Sequence, residues 1–289
     1  MNLFTDLKEI TRKHLDQLNV QYPAAANVED LLLLAINHER KTIRAIPRVV
    51  HASPEFESNR KQLNAQMQSA LTEILSKFER GEDVNGHLNT QSITPERRDP
   101  MIPDWAIYHL HISNHKTNQN GMFYARTGLL AFVWVTDSDA YFVDIAPHGS
   151  WTRQEFLRII DRTWPDLLKP FKLQSATTAN TPSDADLKML RKANVNVIVP
   201  LGNSVIAPPG GGLAKDGTPV QNSERADVTM YLIKNLGKFV SQNSDRLKSE
   251  IADKTGHAPN DLDFELIALS QQRWGVHEKK TGVLVARSQ

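Results

Sequence analysis

Apolar side chains recur at helical spacing from the start of the chain. Phe4, Leu7, Ile10, Leu15 and Leu18 form one stripe, which Tyr22-Pro23 ends. Asn27 stands where an N-cap belongs, with Glu29 and Asp30 in a first turn whose dipole favours acids, so a helix is predicted from Val28 to about Arg40. Ser53-Pro54 predicts the start of one long helix, with serine as cap and proline at the first helical position. Its stripe runs through Leu63, Met67, Leu71, Ile74 and Phe78, and Gly81 is its stop. Residues 82–103, polar and carrying Gly86, Pro95, Pro100 and Pro103, read as a linker or an ordered loop.

The period then changes. Residues 105–112 predict a strand, and 114–120 a polar loop. Residues 129–135 form an unbroken apolar run, the mark of a strand covered on both faces. A turn over 136–139 and a returning strand over 140–145 complete a hairpin. Residues 152–163 predict an amphipathic helix with Phe156, Leu157, Ile159 and Ile160 inside. Further on come a serine-capped helix over 183–193, a hairpin around Gly202-Asn203, a long helix from Ser223 to about Lys254, and closing strands over 264–269 and 282–286. The expected class is α+β in three regions. These are a helical N-terminal region (1–100), an antiparallel β core (101–173) and a C-terminal α+β region (174–289) with a long helix and β-hairpins.

Composition narrows the function classes. The 289 residues are 40% hydrophobic, enough to build a core. Their 34 lysines and arginines against 33 acids leave a net charge of +1, which argues against a polybasic protein but not against a local basic face. The absence of cysteine excludes disulfides and thiolate metal sites. The N-terminus lacks the pattern of a signal peptide. The longest apolar runs, 31–36 and 129–135, fall far short of the roughly 20 residues a membrane span needs, so a cytoplasmic protein is expected.

Residues able to carry chemistry gather between Trp105 and Trp151. His109 and His111, two apart on a strand, point to one face together with Ile107, while Tyr108, Leu110 and Ile112 point to the other. Arg126 precedes the next strand and His148 follows the third, so a three-stranded antiparallel sheet brings all four to one face. Three readings fit. The imidazoles serve as acid and base on a phosphodiester, with Arg126 offsetting the charge on phosphorus. Alternatively, His109, His111 and His148 hold zinc for a metal-dependent hydrolase, with Asp144 as fourth ligand or supporting carboxylate. Or the histidines are packing residues.

The order of these pieces resembles the RelE-type toxin fold of the barnase/EndoU/colicin/RelE ribonucleases. A helical segment leads to Tyr108-His-Leu-His-Ile-Ser113, then come Arg126, the hairpin with its acidic turn, His148 and a helix. The resemblance spans about residues 104–163. It implies cleavage of RNA with no metal or other cofactor, on the concave face of a twisted sheet. His109 and His111 stand for the family's basic strand residues, Arg126 for the arginine leading into the hairpin, and His148 for the basic residue after it. The alternative is a non-catalytic regulatory protein that binds nucleic acid or a protein partner.

Arg40, Lys41, Arg44 and Arg48, flanked by His38 and His51, form a basic cluster that reads either as a phosphate-backbone contact or as a solvated helix end. Pro208-Pro-Gly-Gly-Gly212 lacks the lysine and Ser/Thr of a P-loop and reads as a flexible connection. Trp151 and Trp164 are expected to anchor the helix between them, and Arg273-Trp274 with His277 read either as a base-stacking group or, more commonly, as packing at a sheet edge.

Overall fold

The structure, a computed structural model, describes residues 2–89, 99, 101–117, 121–173, 181–257, 261–270 and 273–288. Much of the expected linker (90–98 and 100) and the end of the polar loop (118–120) lie outside the described residues. The protein is α+β. It divides into two compact units, Met1–Asn37 with Asn222–Gln289, and His38–Gln221. The first hundred residues therefore contribute to both units, and so does the C-terminal region.

The chain opens with α1 (Leu3–Gln17) and α2 (Val28–Lys41). Asn27 and Asp30 cap α2 reciprocally. The Asp30 N–H donates to the Asn27 side chain at 2.9 Å, and the Asn27 N–H to the Asp30 carboxylate at 3.3 Å. The second unit begins at His38 within α2, and its first strand is β1 (Val49–Ala52), which the hydrophobic pattern does not announce. The long helix expected after Ser53 is two helices, α3 (Pro54–Arg60) and α4 (Ala65–Arg80). Asn64 parts them: its side chain accepts the Met67 N–H at 2.9 Å and starts a new helix. Gly81 stops α4 in the left-handed conformation, as expected.

A short helix, α5 (Met101–Trp105), takes the first residue of the expected strand, and Ala106 at φ 57° turns the chain out of it. Three strands follow: β2 (Ile107–His111), β3 (Leu129–Val135) and β4 (Asp139–Pro147). With β1 parallel to β4, the sheet has four strands in the order β1-β4-β3-β2, mixed rather than purely antiparallel. Ser53 closes the β1 edge, its hydroxyl donating to Val143 O at 2.6 Å and accepting the Phe56 N–H at 2.9 Å.

Both faces of this sheet are covered. Leu110, Ala131, Val133, Phe142 and Ile145 pack with Phe56, Leu71, Ile74 and Phe78 of α3 and α4. On the other face, Ile107, Leu130, Phe132 and Trp134 pack with Phe156, Leu157, Ile159 and Ile160 of α6 (Glu155–Thr163). The alternation along β2 is thus the one expected. A bulge at Phe132/Val133 leaves Val143 as the extra residue on β4 and sets Asp144 opposite Phe132.

Beyond α6, the second unit adds α7 (Pro165–Leu168), β5 (Lys172–Leu173), α8 (Asp184–Lys192), β6 (Val199–Leu201) and β7 (Ser204–Ile206). The last two form the expected hairpin, and β5 pairs with β7. Ser183 and Asp186 form a capping box at the start of α8. The glycine loop after β7 is docked rather than loose. The Gly210 N–H donates to Asp104 O at 3.1 Å and the Gly212 N–H to Pro103 O at 2.7 Å, so these amides are engaged within the fold.

The first unit is completed by α9 (Val220–Gln242), α10 (Ser244–Thr255) and an antiparallel sheet of β8 (Phe264–Ser270), β9 (Arg273–Glu278) and β10 (Leu284–Arg287). The single long helix expected here breaks at Asn243. Leu3, Leu7, Leu32 and Ile36 pack against Ile233, Leu236, Val240 and Val276, and Trp274 packs against the same core. His277 faces Glu265 across the strands at 2.6 Å.

A Cβ on Gly210 would lie 2.1 Å from Ile102 O and 2.4 Å from Pro103 C, both backbone atoms. Gly210→Ala is therefore expected to lower stability by about 1–3 kcal/mol. Gly128→Ala, whose added methyl meets nothing within 4 Å, is expected to stay within about 0.5 kcal/mol of the parent. Urea unfolding midpoints of the two variants check this.

Candidate active site

In the second unit the sheet borders a cleft of about 490 Å³, a size typical of small-ligand sites. His109 enters it from β2, Arg126 from the segment before β3, and His148 from the residue after β4. The His148 N–H donates to Gly128 O at 2.8 Å, which extends the β3–β4 pairing and fixes where this imidazole emerges. Trp151, half-buried, stands beside both histidines: ring centroids are 4.4 Å apart for His109 and 5.0 Å for His148.

The four residues expected to converge do not have equal standing. Arg126 and His148 are exposed, while His109 is only 6% exposed and still lines the cleft. Burial disfavours the cationic imidazole and pushes the His109 pKa down, with Asp99 acting in the opposite sense. The Asp99 carboxylate lies 3.3 Å from Nδ1, an electrostatic contact without the alignment of a hydrogen bond. His111 shares the face, as expected, but sits behind the cleft at 2% exposure. Its Nδ1 accepts the Thr127 N–H at 3.0 Å, which requires a lone pair there and hence the neutral ring. Burial, followed by the nearby His109 and Arg126, pushes its pKa down to about 4. His111 is thus engaged in holding the segment that carries Arg126.

The zinc arrangement is not assembled. Asp144 accepts Asn59 Nδ2 at 2.7 Å and the Ile145 N–H at 2.8 Å, and it lies 3.3 Å from Arg153. Among the described residues no three His, Cys, Asp or Glu side chains are disposed to hold a metal ion.

The basic cluster 40–48 is dispersed. Arg48 is buried and donates to Thr136 O, Arg44 O and Ile46 O at 2.7, 2.8 and 3.1 Å. Arg44 pairs with Asp137, and Arg40 donates to Gly210 O at 2.8 Å. His51 lies 2.7 Å from Asp139. Lys41 alone of the four basic residues lines the cleft, beside Tyr108, whose hydroxyl donates to Arg40 O at 2.9 Å.

Sequence reading missed the part of the cleft lining that α8 supplies. Lys188, Arg191 and Lys192 line it. Arg191 is buried, donates through Nε to Asp104 at 2.8 Å, bonds the Trp151 carbonyl and lies over the Trp105 ring at 4.5 Å. This one side chain ties α8 to α5 and to the Trp151 loop. The serine cap of α8 was legible, but nothing local to the sequence placed this helix at the cleft that His109 lines. No family model, curated protein or solved structure matches the chain.

Behind the sheet a further histidine was overlooked. His87 is 1% exposed, stacks on Tyr124 at 3.9 Å and donates from Nδ1 to His111 O at 3.1 Å. Burial, then Lys77, pushes its pKa down to about 4. Its ordinary value near 6.5 returns on unfolding. The unfolded chain therefore binds more protons between those values, so stability falls as pH drops from about 6.5 towards 4. For this residue the loss is on the order of 3 kcal/mol. His87→Gln is expected to be less stable at neutrality yet to show a flatter decline in urea midpoint across that interval.

Proposed function

We propose that the cleft cleaves single-stranded RNA by metal-independent transesterification, as the likeness to RelE-type ribonucleases implies. The supporting observation is that His109 of β2 and His148, the residue after β4, share one cleft with Arg126 and Lys41. His109, kept neutral by burial, takes the proton of the 2′-hydroxyl. The freed oxygen attacks phosphorus, and the 5′-oxygen departs with a proton from His148. The products are a 2′,3′-cyclic phosphate and a 5′-hydroxyl. Arg126 and Lys41 offset the charge that builds on the phosphoryl oxygens. His111 acts through Thr127 as a positioning residue.

His148→Gln is expected to lower kcat/KM for a single-stranded RNA by about 10²–10⁴ with an unchanged unfolding midpoint, because the side chain is exposed. Arg126→Ala is expected to lose roughly 10²–10³. Cleavage persists in chelator, and a 2′-deoxy strand is left intact. Full activity of His148→Gln, or cleavage of the deoxy strand, overturns the mechanism. Binding without turnover by the parent protein leaves the cleft as a recognition site in a regulatory protein.

A further inference from the structure

The cleft carries more positive charge than one phosphate requires. Arg126, Lys188 and Lys192, all exposed, line it together with the buried Lys41, and among the described residues Asp99 is the one carboxylate lining it. Arg191, between the two lysines in sequence, is neutralised by Asp104. Three exposed cations therefore line the cleft with one acid among the described residues, in a chain whose overall charge is only +1. Lys188 and Lys192 are four residues apart on one helix, so their side chains share a face. Both are exposed, and neither has an ion-pair partner among the described residues. Their helix is held rigidly. Arg191 bonds Asp104 and the Trp151 carbonyl, and Gln154 Nε2 donates to Asp184 at 3.1 Å near the start of α8.

We infer that Lys188 and Lys192 form a second phosphate seat, which takes the phosphate flanking the scissile one on a single strand. This rests on the reading of the cleft as a nucleic-acid site. Trp151, half-buried and lining the same cleft, offers its indole to the intervening base, a contact that a base held within a duplex cannot make. The ligand is thus an extended single strand with at least two phosphates.

The test uses two probes on the full chain: a nucleoside 3′-monophosphate, and a 2′-O-methyl trinucleotide, which cannot be cleaved. The parent protein is expected to prefer the trinucleotide. In Lys188→Gln/Lys192→Gln the trinucleotide-to-mononucleotide affinity ratio is expected to fall by about tenfold, the effect of losing a charge-assisted contact. The salt dependence of trinucleotide binding becomes shallower by about 0.7 in log–log slope, the value for one phosphate contact on a single strand. The charge-preserving Lys188→Arg/Lys192→Arg retains both properties. An unchanged ratio in the glutamine variant, or equal weakening of both probes, removes the second seat even if RNA is still cleaved. Failure of the parent protein to bind either probe removes the seat together with the nucleic-acid reading beneath it.

Discussion

A sheet covered on both faces sets the terms for every polar side chain it carries. Phe132, Phe142 and Val143 are wholly buried, so an ionisable group in the same layers is either neutral or matched by a partner. The constraint acts on four residues in four ways. His109 loses its charge to burial yet borders the cleft. His111 is neutral because Thr127 donates to it. His87 is held between Tyr124 and the His111 carbonyl. Asp144, raised in pKa by burial, is satisfied by Asn59 and its neighbouring amide.

The same packing decides where chemistry can occur. The cleft borders His109 of β2, the segment from His148 to Thr152, and α8. Arg191 joins these pieces. Its pairing with Asp104 is buried, where removal of one partner leaves an uncompensated charge. The shape of the cleft and the integrity of the second unit therefore depend on a common contact. The docked glycine loop contributes in the same place, since its amides hold the backbone of α5.

Charge follows a similar logic. Arg44 and Arg48 belong to a dense basic run in sequence, yet they fasten the chain to the 136–137 turn. Lys188 and Lys192 sit in a stretch of mixed charge that drew no notice, yet they face the cleft. A buried guanidinium must spend its donors on carbonyls and carboxylates, so residue density along the chain says little about the field in a cleft.

Local physical chemistry was sufficient for much of the fold. Alternation along β2, the doubly covered run of β3, the hairpin to β4, and the caps at Asn27, Ser53 and Ser183 depend on residues a few positions apart, and all were legible in the sequence. So was the placement of His109 and His111 on one face, because side-chain direction in a strand is set by period alone. Tertiary structure decided the rest: the parallel pairing of β1, the partition of α1 and α9 into one unit, the loss of His111 to a backbone amide, and the arrival of α8 at the cleft that His109 lines. Each of these depends on which distant group satisfies an apolar surface or a polar atom. That choice is made by closing the chain on itself, and no short stretch of residues contains it.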